Sequence, residues 1–285
     1  WRYLMKILVT GYKGQLGFDV VNEAKARGIE AVGVDIDEMD ITDANQVDKV
    51  IKEGKYDAVV HCAAWTAVDK AEEMVEACHK VNVDGTQNIA NVCEELDIPM
   101  MYFSTDYVFD GEGTTPWNEY DERHPLNVYG QTKYEGELAV EKLKKHFIVR
   151  IAWVFGVNGH NFIKTMLRLG KERGAVSVVN DQIGNPTYTF DLAKLVVTMI
   201  QSDKYGTYHA TNSGDFISWY DFACEIFKQA GMDVEVTPVD SNTFPAAAKR
   251  PHNSRMNQSE LEKNGFNRLP SWQDALGRYL KEINN

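Results

Sequence analysis

Tyr129 and Lys133 stand four residues apart in NVYGQTKYEGE, residues 127–137, and on a helix that spacing puts both side chains on one face, one turn apart. A phenol with its ordinary pKa of about 10 is a poor acid or base at neutral pH, but a neighbouring ammonium, or a bound cationic ring such as an oxidised nicotinamide, favours the phenolate. A tyrosine tuned in this way could protonate a carbonyl that is accepting a hydride. Taken alone, a YxxxK pair is an ordinary solvated helix face. It gains meaning from Gly11, Gly14 and Gly17 in LVTGYKGQLG, and from Ser104, Thr105 and Asp106 at the end of MYFSTD, with Thr105 24 residues before Tyr129. The Thr105 hydroxyl could hold the same carbonyl oxygen.

The glycines follow the pattern GxxGxxG between a β-rich run and a helical one, with Gln15 and Leu16 opening the helix. Glycine there allows a sharp turn, backbone N–H groups close to a pyrophosphate and tight packing of helix on sheet. Asp35 closes AVGVD 18 residues beyond Gly17, where a carboxylate can accept hydrogen bonds from an adenosine ribose. An acid there repels a 2′-phosphate and no arginine follows it, so NADH is favoured, with NADPH still admissible. Asp37 and Asp40 compete for the ribose role, and MDITD, residues 39–43, resembles a loop beside the adenine that would bring Asp40 and Ile41 nearest. Ala63, Ala64 and Trp65 follow VVHC, read as the end of a fourth strand, and Phe103 to Asp106 end a fifth. The small alanines permit backbone contact with the cofactor, and Trp65 and Phe103 are placed on the same side.

The elements that must position these groups alternate. KILVTG, EAVGVD, DAVVHCAA and PMMYFST are separated by helical stretches, including Gln15 to Arg27 and Val75 to Glu95, which implies βαβ units around a parallel sheet. The expected fold is α/β, a Rossmann-type doubly wound parallel sheet with a smaller C-terminal substrate-binding domain. Residues 5–155 form the dinucleotide-binding part, with segments near 187–212 returning to it, and residues 156–285 mainly bind substrate. Helices are expected over Phe162 to Glu172, Asp191 to Gln201 and Ser218 to Ala230, between loop-rich segments.

Composition agrees with an ordinary globular chain: 285 residues, 44% hydrophobic, 25% charged. A formal net charge of -12 argues against nucleic acid as a partner, because such binding requires a concentrated basic surface. Four cysteines without CxxC spacing suggest neither a zinc site nor a disulfide framework, and a reducing cytoplasm fits. No apolar run is long enough for a membrane helix and WRYLMKILVTG lacks a signal-peptide layout, so no membrane partner is expected. The natural start is expected at Met5, with residues 1–4 an added remnant.

With these motifs assembled, the chain resembles the extended short-chain dehydrogenase/reductase family, and within it the branch that reduces dTDP-linked keto-sugars. The resemblance covers nearly the whole chain through GYKGQLG, AAWTAVDKAE, STDYVFDG, PLNVYGQTKYEGE, AWVFG, NFIKTMLRLGKER, NDQIGNPT and RPHNSRM. TAVDKAE, STDYVFDG and DQIGNPT are its specific parts. It implies NAD(P)H-dependent reduction of the C4 ketone of dTDP-4-dehydro-L-rhamnose to dTDP-L-rhamnose, with Tyr129 as proton donor, Lys133 on the nicotinamide ribose and Thr105 orienting the ketone. It also places Thr105, Asp106 and Trp153 on the substrate side.

In the second half, Asn161, Phe162, Gln182, Lys249, Arg250 and Arg255 are the candidates to hold the nucleotide diphosphate, against an ordinary salt-bridged surface for the three bases. Asp181 and Asp191 read as capping residues. Sugar-nucleotide dehydratases carry Asp-Glu after the strand-end threonine; here Tyr107 follows Asp106, which argues against dehydration. A related 4-epimerase, another keto-sugar reductase, or a non-catalytic regulatory subunit of the methionine adenosyltransferase type are the alternatives. Family members often form homodimers and some are associated with Mg²⁺, but the acids here show no spacing that defines a metal site.

Overall fold

The structure is a computed structural model that describes residues 4–284. The expectation about the start of the chain concerns residues 1–4, of which 1–3 lie outside the described residues.

The first half alternates strand and helix: β1 (Lys6–Thr10), α1 (Gln15–Ala26), β2 (Glu30–Val34), α2 (Ala44–Gly54), β3 (Ala58–His61), α3 (Val68–Glu73), α4 (Val75–His79), α5 (Gly85–Leu96), β4 (Met100–Thr105), α6 (Val128–Val140) and β5 (His146–Ile151). The second half holds β6 (Val154–Phe155), α7 (Phe162–Arg173), β7 (Ala175–Val179), β8 (Ile183–Gly184), β9 (Thr187–Tyr188), α8 (Thr189–Met199), β10 (Gly206–His209), β11 (Asn212–Ser213), β12 (Ile217–Ser218), α9 (Trp219–Gln229), β13 (Glu235–Val239), α10 (Ser259–Lys263), β14 (Leu269–Ser271) and α11 (Trp272–Ile283).

Six strands form one parallel sheet in the order β10-β5-β4-β3-β1-β2. Its central runs AVVH and MMYFST are buried at every position, as a sheet covered by helices on both faces requires. VVHC and MYFST end the third and fourth strands, not the fourth and fifth. Asp43 explains the difference: its side chain accepts from the N–H groups of Asn45 and Gln46 and starts α2, so the chain passes from β2 to β3 through a loop and a helix alone.

β10 arrives from far along the chain to pair with β5, and Leu192, Val196 and Met199 of α8 share an apolar cluster with Val20 and Ala24 of α1. The rest of the second half is built on two-stranded pairs around a separate aromatic core that includes Phe155, Tyr188, Phe222 and Tyr279. Strand order reverses between β1 and β3, and the carboxyl ends of those strands open the crevice where ligands bind in such sheets.

Candidate active site

At the carboxyl end of β1 the chain turns at Gly11 with φ +66°. A Cβ there would lie 2.7 Å from the Ala63 backbone nitrogen, so only glycine lets the ends of β1 and β3 meet. α1 then begins at Gln15 after Gly14, with no side-chain cap and no acid in its first turn. Its N–H groups and the positive end of its dipole are left for an anion. Leu16 and Gly17 are buried beneath this turn. Gln15 turns its side chain elsewhere: Oε1 accepts from Gly156 N at 2.9 Å and Asn161 Nδ2 at 3.1 Å. The close approach at Gly11 and the uncapped start of α1 together fit a dinucleotide pyrophosphate.

Asp35 lies past the end of β2 and accepts from Lys13 N at 3.3 Å and Ile36 N at 2.9 Å. Lys13 Nζ pairs with Asp37 at 2.8 Å and faces Glu38 at 3.7 Å. Asp40 is committed to its own loop, where Oδ1 accepts from both the N–H and the hydroxyl of Thr42. Ile41 is buried, its carbonyl accepting from Asn88.

α6 starts where it does because Asn127 caps it, Oδ1 accepting from Gly130 N at 2.8 Å. A Cβ on Gly130 would lie 2.2 Å from the Tyr107 carbonyl, so glycine is what allows the helix to press on the turn after β4. That contact sets Tyr129 edge-on to Tyr107, ring centroids 5.6 Å apart, with the Thr105 hydroxyl close enough to favour the phenolate. Thr105 Oγ1 donates to Asp106 Oδ1 at 3.0 Å and accepts from Tyr107 N at 3.2 Å. One turn along α6, Lys133 is 3% exposed, its Nζ 4.1 Å from the Tyr102 ring centroid. Phe103, Thr105 and Asp106 are buried, while Ala63, Ala64 and Trp65 are half-buried.

Burial governs the electrostatics. It pulls the Lys133 ammonium down to about 7, against the opposing charge of Glu137. The Tyr129 phenol, expected to be lowered, is instead raised above its ordinary value, first by burial and then by the nearby Asp106 carboxylate, with Thr105 opposing. Lys133, whose Nζ lies over the Tyr102 ring, does not offset this rise. Burial also pushes Asp106 up to about 6, with Ser254 and Thr105 opposing, and its Oδ2 is buried without a hydrogen-bond partner.

Three features escape sequence reading. Between α4 and α5 the helix opens into a π turn (Lys80–Asp84), the kind of irregularity that marks functional sites. It places buried Asn82 so that Oδ1 accepts from Trp65 N at 2.8 Å and Nδ2 donates to the Thr132 hydroxyl at 3.0 Å, joining the β3 loop to α6. Beneath it, Ala63 N donates to Thr10 Oγ1, which donates to His61 Nδ1 at 2.7 Å, and His61 Nε2 donates to Thr86 Oγ1, which donates to the Asn82 carbonyl. Burial, with Lys133 nearby, lowers that imidazole to about 3, so it is neutral. Further along α6, buried Glu137 takes two hydrogen bonds from Arg150, at 2.7 and 2.8 Å, and one from Arg123 at 2.7 Å.

On the substrate side, Trp153 has φ +50°, a strained conformation for a bulky residue, and stacks on Trp219 with ring centroids 3.8 Å apart. Several polar candidates are engaged within the fold. Asn161 caps α7 and donates to Gln15, the Gly156 carbonyl and the Tyr279 hydroxyl. Gln182 donates to Ser241. Arg250 forms a two-pronged pair with Asp69 at 2.7 and 2.9 Å, holding that carboxyl at about 2. Lys249 lies 3.8 Å from Glu112. Arg255, by contrast, donates to Asn253 and has no acid partner among the described residues. Asp191, expected as a cap, lies inside the first turn of α8 and is paired with Arg278. Among the described residues no cluster of three or more His, Cys, Asp or Glu could hold a metal ion.

A doubly wound parallel sheet, a glycine turn at its switch point and a Tyr-Lys helix facing a strand-end threonine define an extended short-chain dehydrogenase/reductase. Comparison with known proteins narrows the class. The profile of the RmlD substrate binding domain family matches residues 5–285. The dTDP-4-dehydrorhamnose reductase of Escherichia coli K12 is 37% identical over 98% of each chain. Two crystal structures agree closely. The dTDP-4-dehydrorhamnose reductase of Clostridium acetobutylicum has a TM-score of 0.96 at 43% identity, over 99% of this chain and 100% of that one. The dTDP-4-dehydrorhamnose reductase of Bacillus anthracis, in complex with NADP, has a TM-score of 0.95 at 41% identity, over 98% and 100%. The chain belongs to the RmlD family, that of the dTDP-4-dehydrorhamnose reductases.

Proposed function

We propose that this protein reduces the C4 ketone of dTDP-4-dehydro-L-rhamnose to dTDP-L-rhamnose, a step of nucleotide-sugar biosynthesis. The observation that carries the reading is the Thr105 hydroxyl against the Tyr129 phenol, with Lys133 one turn along α6 and near Cys62, beside the Gly11–Ala63 contact. The cofactor is a reduced nicotinamide dinucleotide, held at the start of α1 by Gly11, Gly14, Gln15, Leu16 and Gly17, with Asp35 on the ribose and Ile41, Ala63, Ala64, Trp65 and Phe103 lining the rest; when bound it supplies the hydride. Asp35, Asp37 and Glu38 with one lysine make the ribose end acidic, which favours NADH, while NADP in the Bacillus anthracis relative keeps NADPH admissible.

The protein's own part is to hold the ketone and deliver a proton. A phenol raised by burial stays protonated through the neutral range, the state a donor must be in before reduction. Thr105 orients the ketone through the Tyr129 phenol it holds, its one proton being committed to Asp106 or Tyr129, and Lys133 would sit on the nicotinamide ribose. Trp153, backed by Trp219, is the platform for the sugar, and Asp106 acts on that side through Thr105. Residues 156–285 mainly bind the sugar nucleotide, while the segment near 187–212 belongs to the cofactor half. Arg255 is the guanidinium free for the diphosphate. Asn161, Gln182 and Arg250 act on the substrate indirectly, by fixing the loops around it. A cytoplasmic setting and a homodimer are consistent with this role; no helix among the described residues is long and apolar enough to cross a membrane.

The test couples dTDP-glucose to a 4,6-dehydratase and a 3,5-epimerase, adds this protein and follows NADH absorbance. Oxidation that depends on all three enzymes is expected, and none above background would sink the reading.

A further inference from the structure

Asp106 is the least explained charge-bearing group near Tyr129. It is 2% exposed, Oδ1 meets the Thr105 hydroxyl and Oδ2 meets nothing. Every group around it is uncharged or acidic: Thr105 on β4, Tyr107 on the following turn, Tyr129 on α6, and Ser254, whose hydroxyl lies near the carboxyl without closing a hydrogen bond to Oδ2. The Arg250 guanidinium is felt by Tyr107 and is already paired with Asp69, and neither it nor Arg255, which follows Ser254, is among the groups acting on the Asp106 carboxyl. An ionised carboxylate with one oxygen bare and no cation beside it is an expensive thing to bury. The neutral acid is not.

The Thr105 hydroxyl makes the difference consequential, since it has one proton and two lone pairs. One lone pair is taken by Tyr107 N–H. If Asp106 is ionised, the single Thr105 proton goes to Asp106, and the Tyr129 phenol can meet Thr105 only by donating to it. If Asp106 is neutral, its O–H fills the second lone pair, the Thr105 proton points at the Tyr129 oxygen, and the phenolic proton is free for a substrate.

We propose that Asp106 is the proton reservoir for Tyr129, passing its proton through the Thr105 hydroxyl. This rests on the reductase reading above. When the sugar alkoxide takes the phenolic proton, an O–H bond forms on the sugar and the Tyr129 O–H bond breaks. The phenolate oxygen then takes the Thr105 proton, Thr105 Oγ1 takes the carboxyl proton, and Asp106 is left ionised until solvent re-protonates it at product release. In this sequence of steps a phenolate and a carboxylate are never present together.

Asp106→Asn tests the proposal, because an amide can donate to Thr105 as the neutral acid does but has no proton to give up. In rapid mixing below pH 6, where the wild-type acid is neutral, the variant should show a burst of NADH oxidation of about one equivalent per site, followed by turnover about tenfold or more slower than the first event. Wild type should show no such break. A merely structural or binding role would slow the first and later turnovers equally; that result, or a variant steady state within about threefold of wild type, overturns the relay. Wild type that oxidises no NADH overturns the reductase reading itself and the relay with it.

A second readout needs neither cofactor nor substrate. The infrared C=O stretch of neutral carboxylic acids should be stronger in wild type than in Asp106→Asn at pH 5, the remaining band belonging to groups such as Asp19, and the difference between the two proteins should fade as pH rises through about 6. Identical spectra for the two proteins would overturn the proposal. Should the Asn variant not fold, Asp106→Ala with added formate replaces it. A steady-state rate restored by formate supports the relay, and absence of rescue counts against it.

Discussion

The two ends of α6 are both buried and both polar, yet they are built on opposite principles. Around Glu137 every charge has a partner: Arg150 and Arg123 share the carboxylate, Arg123 also pairs with Glu141, and Arg150 reaches the Glu119 carbonyl. Burial pushes the Glu137 carboxyl up, but Arg150 outweighs it and holds the group below the usual carboxylate range. Around Lys133, one turn away, and Tyr129, two turns away, burial wins. Lys133 falls towards neutrality and Tyr129 and Asp106 rise. A compensated cluster is scaffold; an uncompensated one holds groups whose protonation can change during a reaction.

The contrast can be broken at either end. Tyr129→Phe should lower kcat by about a thousandfold or more while leaving NADH affinity and Tm nearly unchanged; near-normal turnover, measured by NADH absorbance, would remove Tyr129 from the donor role. Glu137→Gln should do the reverse, lowering stability by about 3 to 5 kcal/mol because Arg150 is left uncompensated, with kcat per folded molecule within about threefold. Denaturant titration and active-site counting check this, and a large kcat loss in fully folded protein would show that the two ends are not separable.

Lys133→Met should be intermediate. It should cost about ten- to a hundredfold in kcat, yet raise Tm, since removing a buried, poorly compensated ammonium relieves desolvation; a fall in Tm would mean that its charge is better supported than burial implies.

The smallest effect lies outside α6, at buried Asp19, whose carboxyl burial pushes up to about 6, with Thr189 opposing. Its folded pKa lies above the unfolded value, so the stability it contributes is present below about pH 4 and lost as pH rises to about 6. Asp19→Asn should therefore raise Tm by about 2 to 4 °C at pH 7.5, for roughly 1 kcal/mol, and by nothing at pH 4. Calorimetry at both values decides it, and an equal shift at both would reject the electrostatic account.

The sequence disclosed groups whose meaning depends on chain-local geometry. Gly11, Gly14 and Gly17 announce a turn, the buried runs announce strands, and Tyr129 and Lys133 announce a helix face. Features that depend on distant partners stayed hidden. Asn82 is one polar residue in a helical stretch until the π turn aims it at Thr132. Arg150 looks like an interruption in HFIVRI until Glu137, 13 residues earlier, meets it. Arg250 read as a diphosphate ligand because nothing local shows that Asp69, 181 residues away, has taken it. The direction of the Tyr129 shift was missed for a related reason: burial is a property of the assembled fold, and the spacing of Tyr and Lys does not encode it.

The late arrival of β10 has a consequence for biosynthesis. Until about residue 210 has left the ribosome, β5 lacks its outer neighbour and the apolar face of α1 lacks α8. The nascent cofactor half therefore carries an open sheet edge and an unpaired helix face through most of its translation. Its contacts are long-range, which slows closure, and exposed edges of this kind invite association between chains. Fragments ending before β10 should aggregate rather than fold, and the point at which the nascent chain becomes protease-resistant should fall after residue 210, not near residue 155.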